Sequence, residues 1–182
     1  MKTVHISWYD LADAFGSVSH ELIEHCMHYY NVPRKPIAYI LDLYSKLKGQ
    51  IITKDWKSDP FEFKRGVFQG DNYSVIIFLV VFNPILTYLG TFKEPNGYTL
   101  GEKKIITKPF ADDFQLITNN KRQHQKIQNI FQDLIISLGM VLKPRKCKSL
   151  SICSGIPTDI KFTLRESIPF DQSTNGHTKS VH

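Results

Sequence analysis

Cysteine is scarce in this chain. The three present, Cys26, Cys147 and Cys153, form neither a CxxC pair nor an even set. No disulfide framework and no cysteine-based zinc site is indicated, and a reducing, intracellular setting fits best, nuclear or cytoplasmic being left open. Long apolar runs are lacking too. The longest, Val75 to Phe82, falls far short of the ~20 residues that a membrane-spanning helix needs. The first residues, Met1 to His5, lack the apolar stretch of a signal peptide, so no membrane partner is expected. Acidic residues are too few to balance the basic ones. Against 23 Lys and Arg stand 17 Asp and Glu, and the net charge of +6 favours an anionic partner, nucleic acid before membrane.

What is present suits one folded domain. At 182 residues the chain is long enough to bury a core. Val4, Ile6 and Trp8 alternate with His5, Ser7 and Tyr9, a strand pattern that runs into Asp10 and places its carboxylate on the face of Val4, Ile6 and Trp8. Ser19 can cap a helix whose stripe is Leu22, Ile23, Cys26, Met27 and Tyr30. Pro33 and Pro36 separate it from a second, with Ile37, Ile40, Leu41, Tyr44 and Leu47 on one face. Two short strands, Gln50–Thr53 and Pro60–Lys64, flank a turn. From Tyr73 to Leu89 the chain reads as a mostly buried helix that Pro84 should kink or restart. Ile105–Phe110 and Phe114–Thr118 read as a hairpin. A long helix then carries Ile127, Ile130, Phe131, Leu134, Ile135 and Leu138, and Gly139 stops it. Strands at Met140–Leu142 and Cys147–Ile152 enclose the basic turn Lys143-Pro144-Arg145-Lys146, and from about Asp171 the chain is polar and aperiodic.

Three carboxylates carry the chemistry. Asp10 ends a strand, and Asp112 with Asp113 sits at a hairpin tip. A carboxylate at the end of a half-apolar face is costly unless it is solvated, paired or bound to metal. Mg²⁺ takes hard oxygen ligands, commonly one or two carboxylates plus substrate phosphates. Adjacent aspartates on a regular strand point to opposite faces, so the turn must be irregular if both are to approach one site. An isolated Asp-Asp pair between apolar strands is more often a simple turn.

The context of these residues changes that balance. Trp8-Tyr9-Asp10-Leu11-Ala12-Asp13-Ala14-Phe15 resembles the first catalytic motif of reverse transcriptases, an aspartate followed five residues later by an aromatic. Arg65-Gly66-Val67-Phe68-Gln69-Gly70-Asp71 resembles their R-G-x-x-Q-G-D motif. Phe110-Ala111-Asp112-Asp113 matches the F-A-D-D form of the third, and Leu138-Gly139 through Lys146-Cys147 is similar to the fourth. All four stand in the family's order, and F-A-D-D with the L-G…K-C ending leans toward the non-LTR, LINE-type retrotransposon class.

The resemblance implies an α+β polymerase palm, an antiparallel sheet packed on helices, with partial fingers and no thumb. Its palm would comprise residues 1–19 and 66–152, its partial fingers 20–65, the start of a palm–thumb connection 153–170, and a disordered tail 171–182. It implies template-directed transfer from deoxynucleoside triphosphates to a primer 3′-hydroxyl on an RNA or DNA template–primer, with Mg²⁺ as cofactor and Mn²⁺ able to substitute. Asp10, Asp112, Asp113 and the carbonyl of Leu11 would hold the metal. Phe15 would lie under the incoming sugar, beside the metal site and outside the core. Gln69 and Gly70 would contact nucleotide and template, Arg65 the phosphate side, and Lys146 would protonate the leaving pyrophosphate. The partners implied are the fingers, thumb and endonuclease parts of a longer polyprotein.

Departures from the family pattern keep a second reading open, a catalytically silent remnant that at most binds nucleic acid. Gly16 replaces an aspartate common after the motif's aromatic, and Asn72 and Val75 replace two prolines. Loss of those prolines should loosen the loop before the Tyr73 helix. Only nine residues precede Asp10, where the family carries most of its fingers. No departure removes an expected metal ligand.

Overall fold

A computed structural model describes residues 2–68, 70–71 and 73–165. The expectations for Gln69, for Asn72 and for the tail beyond residue 165 lie outside these residues. In chain order the elements are β1 (Thr3–Tyr9), β2 (Leu11–Ala12), α1 (His20–Tyr29), α2 (Arg34–Lys46), β3 (Lys48–Gly49), β4 (Phe61–Glu62), α3 (Ser74–Gly90) and the short α4 (Lys93–Asn96). They continue with β5 (Tyr98–Leu100), β6 (Lys103–Ile105), β7 (Thr107–Phe110), β8 (Asp113–Thr118), α5 (Lys121–Ser137), β9 (Val141–Leu142), β10 (Lys148–Cys153) and β11 (Ile156–Thr158). Five strands form one antiparallel sheet in the order β11-β10-β1-β8-β7, so the chain's first long strand lies at its centre. The fold class is thus α+β, as expected. Among the described residues no helix is long and apolar enough to cross a membrane.

The helices form where their termini are specified. Ser19 caps α1 by accepting from the Leu22 N–H at 3.1 Å, and Asn120 caps α5 by accepting from the Gln123 N–H at 3.1 Å. Each cap satisfies a donor that the first helical turn cannot. Gly139 ends α5 with φ +73°, a left-handed conformation that costs glycine least. Helix α3 is one element that continues through Pro84, so the proline does not restart it. Its buried side, Ile77, Phe78, Val81, Phe82, Ile85 and Leu89, joins Phe114 of β8 and Phe131 of α5 in the core. Phe114 and Phe131 stack at 4.2 Å between centroids.

Strand β1 alternates as expected, but its polar face is the buried one. His5, Ser7 and Tyr9 are at most 3% exposed and face α5, whereas Val4, Ile6 and Trp8 are half-buried. The polar face is tolerated because each group finds a partner. His5 Nδ1 and Ser151 Oγ are hydrogen-bonded at 2.8 Å, Ser7 Oγ and His124 Nε2 at 2.7 Å, and Tyr9 Oη donates to Gln128 Oε1 at 2.9 Å.

Other elements depart from the expected pattern. The hairpin expected from Gln50–Thr53 and Pro60–Lys64 pairs instead at Lys48–Glu62 and Gly49–Phe61, with a bridge at Ile52–Lys57. The rings of Phe61 and Phe63 lie over Gly49, where an added Cβ would sit within 2.8 Å of them, so the ladder is anchored at that glycine. Hairpin β5–β6 turns through Gly101 at φ +61° and had no counterpart in the sequence reading. Strand β11 extends the main sheet.

Candidate active site

Asp10 sits where the central strand divides. Up to Tyr9 the chain pairs with β8, and from Leu11 it pairs with β9. The β1–β8 register ends with Tyr9 opposite Phe114, so Asp10 follows β1 and Asp113 begins β8 at the same end of the sheet. Asp112 occupies the turn beside it. Phe110 pairs with Asp113, leaving Ala111 and Asp112 as a two-residue loop, and Ala111 has φ +52°. This is the irregularity that two adjacent aspartates require. A left-handed alanine costs about 1–2 kcal/mol, so the surrounding ladder must hold it.

The other side of Asp10 meets the basic turn between β9 and β10. Lys143 N–H donates to the Asp10 carbonyl at 2.8 Å, and Lys146 N–H donates to the Lys143 carbonyl at 2.9 Å. The two side chains flank the carboxylate, with Lys143 Nζ 3.6 Å from Oδ1 and Lys146 Nζ 3.6 Å from Oδ2. Oδ1 is buried and accepts no hydrogen bond. Because Asp10 and Lys143 are hydrogen-bonded across the β2–β9 ladder, the next pair, Leu11 with Leu142, belongs to the alternate set. The Leu11 carbonyl therefore points away from β9, while its side chain is buried in the core.

The glycine loop packs on the segment after Asp10. Gly66 N–H donates to the Val18 carbonyl at 2.6 Å and Val67 N–H to the Phe15 carbonyl at 2.9 Å. Gly66 has φ +95°, and a Cβ there would stand 3.0 Å from the Gly16 Cα, so two glycines let the backbones meet. A Cβ on Gly16 would overlap the Asp13 carboxylate, which fills that space in this chain. Phe15, Gly16, Arg65 and Gly66, with Phe63 and Phe68, line a cavity of about 270 Å³.

The structure thus brings Asp10 together with Lys146, places Asp113 at the same end of the sheet, and gathers Phe15 and Arg65 at one cavity. It corrects one expectation. Phe15 is a core residue, 9% exposed and stacked on Phe78 at 4.9 Å, although it also borders the cavity. Its ring is held by α3, whose apolar residues the sequence pattern assigned to a separate element. Gly70 is exposed with φ +96°, and an added Cβ would meet nothing within 4 Å, so backbone conformation, not crowding, accounts for the glycine here. Gln69 lies outside the described residues. Among the described residues no group of three or more His, Cys, Asp or Glu side chains stands close enough to hold a metal ion. Asp10, Asp112 and Asp113 reach one end of the sheet without closing on a common point.

Two features escaped the sequence reading. Lys143 contacts Asp10 as closely as Lys146 does, and the backbone bond from Lys143 to Asp10 is what places it there. Beneath β1, Gln125, Gln128 and Gln132 of α5 form a ladder. Their side-chain amides bond the backbone of Thr163 and Arg165 at 2.8–3.0 Å. The helical spacing of those three glutamines was the available signal. Burial shifts the groups around this layer. It lowers the pKa of His124 to about 3, with His5 adding to the effect, and it raises those of Tyr9 and Cys147.

The sequence pattern of the family described as reverse transcriptase (RNA-dependent DNA polymerase) matches residues 1–179. The chain belongs to the reverse transcriptase family. It is similar to the Pol polyprotein of the type-1 retrotransposable element R2 of Nasonia vitripennis, at 28% identity over 100% of this chain and 17% of that protein. The Pol polyprotein of element R2DM of Drosophila melanogaster is 28% identical over 93% of this chain and 16% of that protein. The reverse transcriptase chain thus spans about a sixth of the length of these curated relatives. Among solved structures, telomerase of Candida tropicalis with a fragment of telomeric RNA superposes with a TM-score of 0.68 at 14% identity, over 89% of this chain and 28% of that one. Candida albicans telomerase gives 0.65 at 13% identity, over 87% and 28%. At such identities these two show the shared fold alone.

Proposed function

We propose that this chain is the palm-centred part of an RNA-directed DNA polymerase from a retrotransposon, acting by metal-assisted nucleotidyl transfer. One observation carries the reading. Asp10 and Asp113 each lie one residue beyond the last β1–β8 pair, and Lys146 stands beside Asp10. In this reading residues 1–19 and 66–152 are palm, 20–65 part of the fingers, and 153–170 the start of the connection toward a thumb.

The donor set suits a hard divalent cation. Asp10 offers a buried oxygen without a hydrogen bond, Asp112 and Asp113 add carboxylates, and the Leu11 carbonyl points away from its ladder partner. Bound Mg²⁺ or Mn²⁺ would stabilise charge on the attacking and leaving oxygens. The chain's own residues supply the rest. A primer 3′-hydroxyl loses its proton to solvent and attacks the α-phosphate of a deoxynucleoside triphosphate, one P–O bond forms, the bond to pyrophosphate breaks, and Lys146 delivers a proton to the departing oxygen. Phe15, at the cavity wall, limits the room beneath the sugar, and Arg65 at the same cavity faces the phosphate side. Gln69 and Gly70 contact nucleotide and template strand. The basic surface holds the template–primer through phosphate contacts, with an affinity that falls as salt rises.

Single-nucleotide addition tests this reading. Purified chain in excess over a template–primer, with deoxynucleotides and Mn²⁺ or Mg²⁺, should give slow incorporation that Asp112→Asn abolishes. Efficient extension is not expected from the chain alone, because phosphoryl transfer depends on positioning and partial sites lose disproportionately. Salt-sensitive template–primer binding with no incorporation would favour the silent, nucleic-acid-binding reading instead. Incorporation unaffected by Asp112→Asn would contradict the site.

A further inference from the structure

The two lysines beside Asp10 form an arrangement that the proposed chemistry does not use in full. Each ammonium lies 3.6 Å from a different oxygen of one carboxylate, too far for a good hydrogen bond and close enough for strong charge attraction. Oδ1 is shielded from solvent and has no donor, so the Lys143 charge is what offsets its burial. The backbones behind both side chains are fixed. Lys143 is bonded to Asp10, Lys146 and Cys147 N–H groups donate to the Lys143 carbonyl, and Pro144 stiffens the turn. The side-chain ends are not fixed in this way, being 43% exposed for Lys143 and 64% for Lys146. The ammonium groups can leave the carboxylate without disturbing the fold.

We infer that Lys143 and Lys146 are resident counter-ions of Asp10, which a divalent cation must displace to reach the carboxylate. A dication and two ammonium groups cannot share one carboxylate without repulsion, so metal entry and lysine departure are linked. The lysines thereby set the metal affinity of the site, and their displacement frees both for phosphate groups arriving with the nucleotide. This inference rests on the metal-site reading above. It assigns to Lys143 a role that is absent from that reading, and to Lys146 one that precedes proton delivery.

Mn²⁺ binding to the intact chain, followed by the electron paramagnetic resonance signal of the free ion, tests it without any assay of activity. Asp10→Asn defines the Asp10-dependent fraction. Removing one half-exposed ion pair should tighten that fraction by about three- to five-fold in Lys143→Gln or Lys146→Gln, and by about ten-fold in the double variant. Lys35→Gln on α2 removes the same net charge at a position outside this cluster and should change the affinity by less than about two-fold. Asp10-dependent binding that is unchanged or weaker in the lysine variants, or equally tightened by Lys35→Gln, overturns the counter-ion role and leaves the metal site standing. Absence of Asp10-dependent binding in every variant overturns the metal site itself, and the counter-ion role with it.

Discussion

The two faces of β1 treat polar groups in opposite ways. On the buried face, His5, Ser7 and Tyr9 each have a hydrogen-bond partner on β10 or α5, and Gln128 passes the connection on to the Thr163 carbonyl. At the end of the other face, Asp10 keeps an oxygen that is buried and bonded to nothing, beside the charge of Lys143, while Lys146 stands at its other oxygen. Satisfied polar groups in a low-dielectric layer specify one packing arrangement, and leaving one unsatisfied is what costs stability. The lesson is that polarity does not mark a site. Polarity left open to an incoming group does, and the strand carries both kinds within six residues, His5 to Asp10.

Substitutions on the two faces should therefore separate activity from stability. The largest effect expected is on catalysis. Asp10→Asn should lower Mn²⁺-supported incorporation by about a hundred-fold or more if the proposed metal site holds, since it removes one of that site's proposed ligands. Its denaturant midpoint should stay close to that of the unaltered chain. A collapsed midpoint would place Asp10 with the structural residues and erase the contrast. The opposite result is expected at Gln128→Leu, which strands the Tyr9 hydroxyl and removes one of the two donors to the Thr163 carbonyl. It should cost about 1–3 kcal/mol of stability in urea unfolding while leaving Asp10-dependent Mn²⁺ affinity unchanged. Altered metal affinity there would mean that the buried layer also tunes the site.

Acid should expose the same layer. Burial lowers the His124 pKa from 6.5 to about 3, and its ring accepts and donates between Ser7 Oγ and Thr118 Oγ1 in the neutral form. The unfolded chain then binds more protons than the folded one between these two values. Stability from this group is fully present above pH 6.5 and is lost progressively as pH falls toward 3. The loss by pH 5 should be on the order of 2 kcal/mol, and His5, whose pKa burial also lowers, acts in the same direction. Urea midpoints measured from pH 7 to pH 5 check this. His124→Gln should flatten the dependence, and an unchanged slope would remove His124 as its source.

Much of the architecture was legible because local signals agreed. Ser19 marks its helix, Gly139 ends the last one, and the apolar positions of α5 recur at helical spacing. Ala111 to Asp113 read as a hairpin tip because apolar strands flank it. What was not legible depended on tertiary partners. Alternation separates the faces of β1 but cannot tell which one α5 will cover, and here the partners of His5, Ser7 and Tyr9 lie 117 to 146 residues away. The placing of Asp10 and Asp113 at one end of the sheet and the contact from Lys143 follow from register, which no local pattern encodes. Phe15 shows the same limit. Its motif position pointed to a pocket, yet its stacking on Phe78 makes it part of the core, so Phe15→Leu is a cleaner probe of sugar discrimination than Phe15→Ala.

In the proposed reading, Asp10 and the Asp112–Asp113 turn share a divalent ion. Anomalous diffraction from crystals of the chain grown with Mn²⁺ tests it most directly. A shared ion should give a peak at coordination distance, about 2.2 Å, from carboxylate oxygens of both Asp10 and Asp112. Carboxylates of Asp10 and Asp112 more than about 8 Å apart, with no peak between them, would contradict it.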